Sequence, residues 1–209
     1  MSATDAPAKR PFVLCLTGSL GMGKSTAARF FAEAGVPVHD SDAVVHALYE
    51  DDAVALIEQA FPGSTSDGKV DRSKLATFVL NDDAALARLE AIVHPLVGKA
   101  RDQFLAEQAA HGASVVVIDI PLLFEAGLAR GCDAVVVVST SAEQQRRRVL
   151  ERPGMTEEKF AAILAKQMPD AEKRQRADFI VDSSGDFDRT RAQVRDILDT
   201  VAKMQPRRQ

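Results

Sequence analysis

Eight consecutive residues, Gly18-Ser19-Leu20-Gly21-Met22-Gly23-Lys24-Ser25, spell GxxxxGKS. In that pattern the glycines let the backbone turn tightly and aim its N–H groups at phosphate oxygens. The lysine reaches the β- and γ-phosphates of a nucleotide, and the terminal serine hydroxyl can bind magnesium. The flanks agree with this reading. Phe12-Val13-Leu14-Cys15-Leu16 is an apolar run of the kind that forms a buried strand, and Thr26 to Glu33 is helix-forming and stops at Gly35. The partial positive charge of that helix's N-terminus adds to the anion site. Contacts to ATP are therefore expected from Gly18, Ser19, Leu20, Gly21, Met22, Gly23, Lys24, Ser25 and Thr26.

Carboxylates and arginines elsewhere could complete a phosphoryl transfer. Such a reaction needs a carboxylate to orient or accept the proton of an attacking hydroxyl, and oxygen ligands for magnesium. Asp40 and Asp42 follow the short apolar stretch Val36–His39; Asp42 is the candidate base and Asp40 a candidate substrate contact, with helix capping as the competing role for each. Asp119 ends the run Val115–Ile118, the place where a second magnesium ligand is expected beside Ser25. Leu122, Leu123, Phe124 and Glu125 follow at once and would either wall an acceptor pocket or pack the interior. Arg148 and Arg152, four apart in a basic helical stretch, would share a helix face and compensate charge developing on the transferred group; solvated surface is the alternative.

The elements that must position these groups alternate strand and helix. Val115–Ile118 and Ala134–Val138 are continuous apolar strands, and Phe179–Val181 is a shorter one. Such runs imply burial on both faces and hence parallel strands covered by helices. The expected fold is α/β, a P-loop nucleoside-triphosphate hydrolase fold with a parallel five-stranded sheet. Its core comprises 12–41 and 115–204, a helical insertion covers 42–114, and a small lid covers 141–167. Within the insertion, helices are expected over 42–59, 73–80 and 83–110, the last interrupted at Pro95, with a turn-rich break at 61–68. The last helix, 189–204, presents Val194, Ile197, Leu198 and Val201 to the sheet.

The chain of 209 residues carries a formal charge of -4, which argues against general nucleic-acid affinity, and its longest apolar runs fall short of a membrane span. Residues 1–11 lack the apolar core of a signal peptide. Its two cysteines, Cys15 and Cys132, are read as reduced residues near the core, and the expected location is cytoplasmic. Composition leaves the oligomeric state open; a monomer is the simplest expectation.

The ordered set of motifs resembles the dephospho-coenzyme A kinase family over about Val13 to Leu198. The residues carrying the resemblance are Leu16-Thr17-Gly18 through Ser25, Asp40-Ser41-Asp42, His94-Pro95, Pro121 to Glu125, Glu143 to Arg152, Lys173 to Asp178, and Asp182 to Gly185. The resemblance implies transfer of phosphate from ATP, with magnesium, to the ribose 3′-hydroxyl of dephospho-coenzyme A. It implies Asp42 as base, His94 as an acceptor contact, and Ser183 and Gly185 in a loop near the adenine. The family usually has glycine at Ser19, serine at Met22 and asparagine at Ser183. Two other readings share most of these residues: another small-molecule kinase acting on a nucleoside, nucleotide or sugar acid, and a nucleotide-dependent switch. No Asn-Lys-x-Asp motif supports the switch.

Overall fold

A computed structural model describes residues 10–80 and 82–207. It divides into two compact units, one comprising residues up to His39 and from Leu105 onward, the other Asp40–Phe104.

The first unit is built on a five-stranded sheet. Its strands are β1 (Phe12–Thr17), β2 (Val38–Asp40), β5 (Val115–Asp119), β6 (Ala134–Ser139) and β7 (Phe179–Asp182), in the order β2-β5-β1-β6-β7. β1 runs parallel to β5 and β6, and β6 runs parallel to β7. β1 and β6 are buried along their whole length, which is why their sequences are unbroken apolar runs. On one face Leu14, Leu16, Val136 and Val138 meet Phe30 and Phe31 of α1 (Lys24–Glu33) and Val194, Ile197 and Val201 of α9 (Phe187–Val201). Leu198 is partly buried against the same cluster, so the expected stripe does face the sheet. β1 is central, and the chain crosses from one side of it to the other between β5 and β6. Ligands of open α/β sheets bind at the carboxyl edge beside such a reversal.

The second unit has its own core. It contains α2 (Ser41–Leu48), α3 (Val54–Ala60), the hairpin β3 (Thr65–Ser66) and β4 (Lys69–Val70), α4 (Arg72–Val79) and most of α5 (Asp83–Ala110). Leu48, Ile57, Phe61, Leu75, Leu89 and Val93 are buried together there. Three expectations need correction. The single helix expected over 42–59 is two, broken where Asp51 N–H and Ala53 N–H both turn back to Leu48 C=O. The turn-rich break holds a hairpin, with Asp67 (φ 51) and Gly68 (φ 74) both left-handed at its turn. Pro95 does not interrupt α5, which runs through it for 28 residues; Pro95 only removes one N–H from the ladder.

Two further helices of the first unit, α6 (Ala142–Leu150) and α7 (Glu157–Leu164), occupy the segment expected as a lid and are joined by a turn with Gly154 at φ 74. Arg146 pairs with Glu157 across that turn. α8 (Asp170–Arg176), which carries Lys173, Arg174 and Arg176, is a helix not expected from the sequence. Its Lys173 is completely buried and lies 2.8 Å from Glu125. The ammonium makes no well-angled hydrogen bond there, so the contact is ionic and governed by distance. Burial pushes the Glu125 carboxyl up, but Lys173 and the Met168 N–H outweigh it and hold the carboxyl below its ordinary value.

The cysteines contradict the sequence reading. Cys15 and Cys132 form a disulfide with Cα atoms 5.7 Å apart, both buried, and they are separated by 117 positions in sequence. Sequence offered no distance between them; the pairing of β1 with β6 supplies it. The argument from free thiols to a reducing compartment therefore falls away. Among the described residues no helix is long and apolar enough to cross a membrane.

Protein prepared without reductant should show no thiols on denaturation and two after reduction. Reduction should lower the unfolding free energy by about 2–4 kcal/mol in a denaturant titration. Glu125→Gln leaves the buried Lys173 uncompensated and should cost about 3 kcal/mol at neutral pH. Because the folded carboxyl is held low, wild-type stabilisation by the pair is present at neutral pH and is lost as pH falls through that lowered value. The stability gap between wild type and Glu125→Gln should therefore narrow only below the ordinary carboxylate range.

Candidate active site

The phosphate loop leaves the carboxyl end of β1 and enters α1. Gly21 (φ 80) and Gly23 (φ 90) adopt left-handed conformations that side chains resist, and these reversals turn the loop around its centre. Lys24 opens α1, and its ammonium lies 2.5 Å from Asp119 Oδ1 at the end of β5. Asp119 is buried, whereas Ser25 is exposed on the first turn of α1 and Thr26 is half-buried behind it. The helix brings no acidic residue to its first turn, so its positive end is left uncancelled by its own side chains.

Neighbouring segments brace the loop. Met22 is buried; its N–H donates to Ser19 C=O, and its sulfur accepts the Thr140 N–H at 3.3 Å. The Ser183 hydroxyl donates to Met22 C=O at 2.7 Å. Arg148 reaches Ser183 twice, Nη1 to the hydroxyl at 2.9 Å and Nη2 to the carbonyl at 2.7 Å. Two positions where this chain departs from the family pattern, Met22 and Ser183, therefore touch. Gly185 lies in the same loop, and a Cβ there would stand 2.8 Å from the Arg189 side chain. Asp182, just before Ser183, is held below the ordinary carboxylate range chiefly by its hydrogen bonds from Ser184.

Arg148 and Arg152, the arginines expected on a lid, do not share a helix face. α6 ends at Leu150, so Arg152 lies past it and is exposed, while Arg148 turns inward to Ser183. Beyond β5, Leu123 is fully buried, Leu122 is exposed, and Phe124 lies under the Arg176 guanidinium at 6.0 Å. Glu125 is occupied by Lys173 and Met168, as described above.

In the second unit Asp40 caps α2, its carboxylate accepting the N–H groups of Asp42 (2.9 Å) and Ala43 (3.0 Å). The capping role weighed for both residues thus falls to Asp40, and the Asp42 side chain stays exposed. Asp42 helps to line a groove of about 540 Å³, together with Val45, Tyr49, Arg72, Leu75, Ala76, Val79 and Leu89. The Arg72 guanidinium stands 5.4 Å over the Tyr49 ring. Burial raises the Tyr49 hydroxyl above its ordinary value, with the Arg72 charge opposing. The lining of the groove is mostly apolar and bears one cation and one carboxylate. His94 is exposed on α5.

Gln145 and Gln167, which the sequence reading did not single out, both reach the loop at Leu20. For Gln145 a signal was available: it precedes Val149 by one helical turn, so a polar side chain falls on the buried face of α6.

The sequence pattern of the dephospho-CoA kinase family matches residues 12–189. A dephospho-CoA kinase of Rhodopseudomonas palustris (strain BisB18) is 59% identical over 196 residues, covering 94% of this chain and 98% of its own. One from Mesorhizobium japonicum is 61% identical over 187 residues, covering 90% and 95%. Among solved structures, a Thermus thermophilus protein superposes with a TM-score of 0.80 at 33% identity, covering 92% of this chain and 98% of its own. The dephospho-CoA kinase of Campylobacter jejuni shares the fold, with a TM-score of 0.63 at 22% identity and coverage of 92% and 98%. With the family pattern spanning both units and the phosphate loop formed at the sheet's edge, this chain belongs to the dephospho-CoA kinase family of phosphotransferases.

Proposed function

We propose that this chain transfers the γ-phosphoryl group of ATP in line to the ribose 3′-hydroxyl of dephospho-coenzyme A, with Asp42 as the base. The observation that carries the reading is the loop between β1 and α1, with the Lys24 ammonium on the Asp119 carboxylate. In this scheme the N–H groups of the loop and the α1 terminus bind the phosphates, and Lys24 moves its charge onto the β- and γ-oxygens. Arg148 and Arg152 contribute positive charge as the γ-group departs. Ser183 and Gly185 lie in the loop assigned to the adenine side.

Magnesium would be held by Ser25 Oγ and the Asp119 carboxylate, hard oxygen donors suited to it. Among the described residues no three acidic, histidine or cysteine side chains gather to hold a metal. That fits an ion carried mainly by phosphates and water. When bound, magnesium supplies neutralisation of charge on the phosphate oxygens.

The acceptor is assigned to the insertion. The groove that Asp42 helps to line offers apolar side chains for the extended arm of the acceptor and the Arg72 charge for its diphosphate. Asp40 serves the acceptor by fixing the first turn of α2, which carries Asp42. His94, Leu122, Leu123, Phe124 and Glu125 remain acceptor contacts by resemblance, with Leu123 and Glu125 acting through packing. A ribose hydroxyl is a poor nucleophile at neutral pH, so Asp42 works by orienting it and taking its proton as the new bond forms. A cytoplasmic enzyme acting as a monomer completes the proposal.

Incubation with ATP, magnesium and dephospho-coenzyme A should yield a product heavier by one phosphate, detected by mass analysis. Asp42→Asn should lower kcat by about 10²–10⁴-fold with KM for ATP little changed. Lys24→Met should lower kcat by about 10²–10³-fold and also weaken ATP binding. ATP consumption without a phosphorylated coenzyme would overturn the acceptor, and a fully active Asp42→Asn variant would overturn the base.

A further inference from the structure

Leu20 lies in the outer arc of the phosphate loop, and both of its backbone polar groups are bound by side chains. Its N–H donates to Gln167 Oε1 at 3.2 Å, and its C=O accepts from Gln145 Nε2 at 2.8 Å. Gln145 sits on α6 and Gln167 just beyond α7, so the two arms of the lid segment converge on one loop residue. The two groups belong to successive peptide planes. Each plane is rigid, so fixing the Leu20 carbonyl also fixes the Gly21 N–H on the opposite edge of the same plane.

We propose that Gln145 and Gln167 are positioning residues for nucleotide binding, clamping the Leu20 peptide so that the loop is shaped for phosphate before ATP arrives. Gly21 and Gly23 give the loop backbone freedom that ATP binding would otherwise have to remove, and an external grip reduces that loss. Both glutamines are themselves anchored. Gln145 is 5% exposed. The residue after Gln167, Met168, donates its N–H to Glu125 Oε1 at 2.8 Å, and Glu125 rests on the buried Lys173. Glu125 and Lys173, which the phosphoryl transfer does not use directly, thus become the base of the clamp.

The inference rests on the loop being the ATP site, and its test reads nucleotide binding without the acceptor. ATP affinity with magnesium would be measured by calorimetry on wild type, Gln145→Met, Gln167→Met and the double variant, beside the melting temperature of the nucleotide-free protein. Methionine keeps the volume and removes the amide. Each single variant should raise the Kd for ATP about tenfold, the scale of one hydrogen bond. The double variant should fall short of the product of the two, because one grip alone cannot hold the loop. At saturating ATP, kcat should change less than about threefold.

A second pair separates polarity from packing. Gln167→Glu keeps an acceptor for the Leu20 N–H, whereas Gln145→Glu faces its carbonyl with another acceptor. Both add the same charge, so the larger loss of affinity should occur at 145. Lowered melting temperatures with wild-type ATP affinity, or equal losses in the two Glu variants, would overturn the clamp. ATP binding by wild type without phosphorylation of dephospho-coenzyme A would overturn the acceptor assignment instead, and the affinity comparison would still decide the clamp.

Discussion

No side chain fits at the inner positions of the phosphate loop, and much of the first unit is arranged around that constraint. A Cβ on Gly18 would stand 2.8 Å from the carbonyl oxygen of Val138, and one on Gly23 would stand 3.0 Å from Ser183 Oγ. One on Gly21 would collide with Val149. β6, the loop after β7 and helix α6 each press bare backbone, so the loop is surrounded by three elements that must keep their places. The sheet keeps two of them there through parallel pairing and two-sided burial. α6 is held by its buried face, where Val149 packs and Gln145 bonds the Leu20 carbonyl.

Close packing also explains how the chain accommodates its departures from the family pattern. Met22 cannot offer a hydroxyl, but it fills space below the end of β6 and gives its sulfur to the Thr140 N–H. Ser183 is short enough to sit against Gly23 while still reaching the Met22 carbonyl and receiving Arg148. The loop after β7 is thereby bonded to the phosphate loop and to a lid arginine at once. A side chain that bonds two partners in so small a space constrains the backbone more than it could by contacting a ligand alone.

The parts legible in the sequence were those with one dominant physical cause. β1, β5 and β6 are apolar on both faces, and a strand buried on both sides leaves that mark. The phosphate loop was legible because its glycines and lysine have few other uses in that order. α8 was not, since seven mostly charged residues show no apolar stripe, and what buries Lys173 is a carboxylate far away in sequence. The hairpin over 65–70 carried an Asp67-Gly68 signal, but its strands are two residues each, too short for alternation to show. The Leu20 clamp was the least visible, because backbone groups leave no trace in a sequence and glutamine is an ordinary surface residue. Asp40 and Asp42 both had helix capping as a rival role; only the geometry of the first turn of α2 divided cap from exposed carboxylate.

The bond between Cys15 and Cys132 closes a ring in the chain. Everything from the phosphate loop through the whole second unit to β5 lies inside that ring, since all of it falls between the two cysteines. A single cut by a protease anywhere in the insertion would open the ring without releasing either piece. β1, with the loop it carries, would stay tethered to β6, and the nicked molecule would migrate as two chains only after reduction. The backbone of the insertion can therefore be severed while the nucleotide-binding framework remains a single covalent molecule.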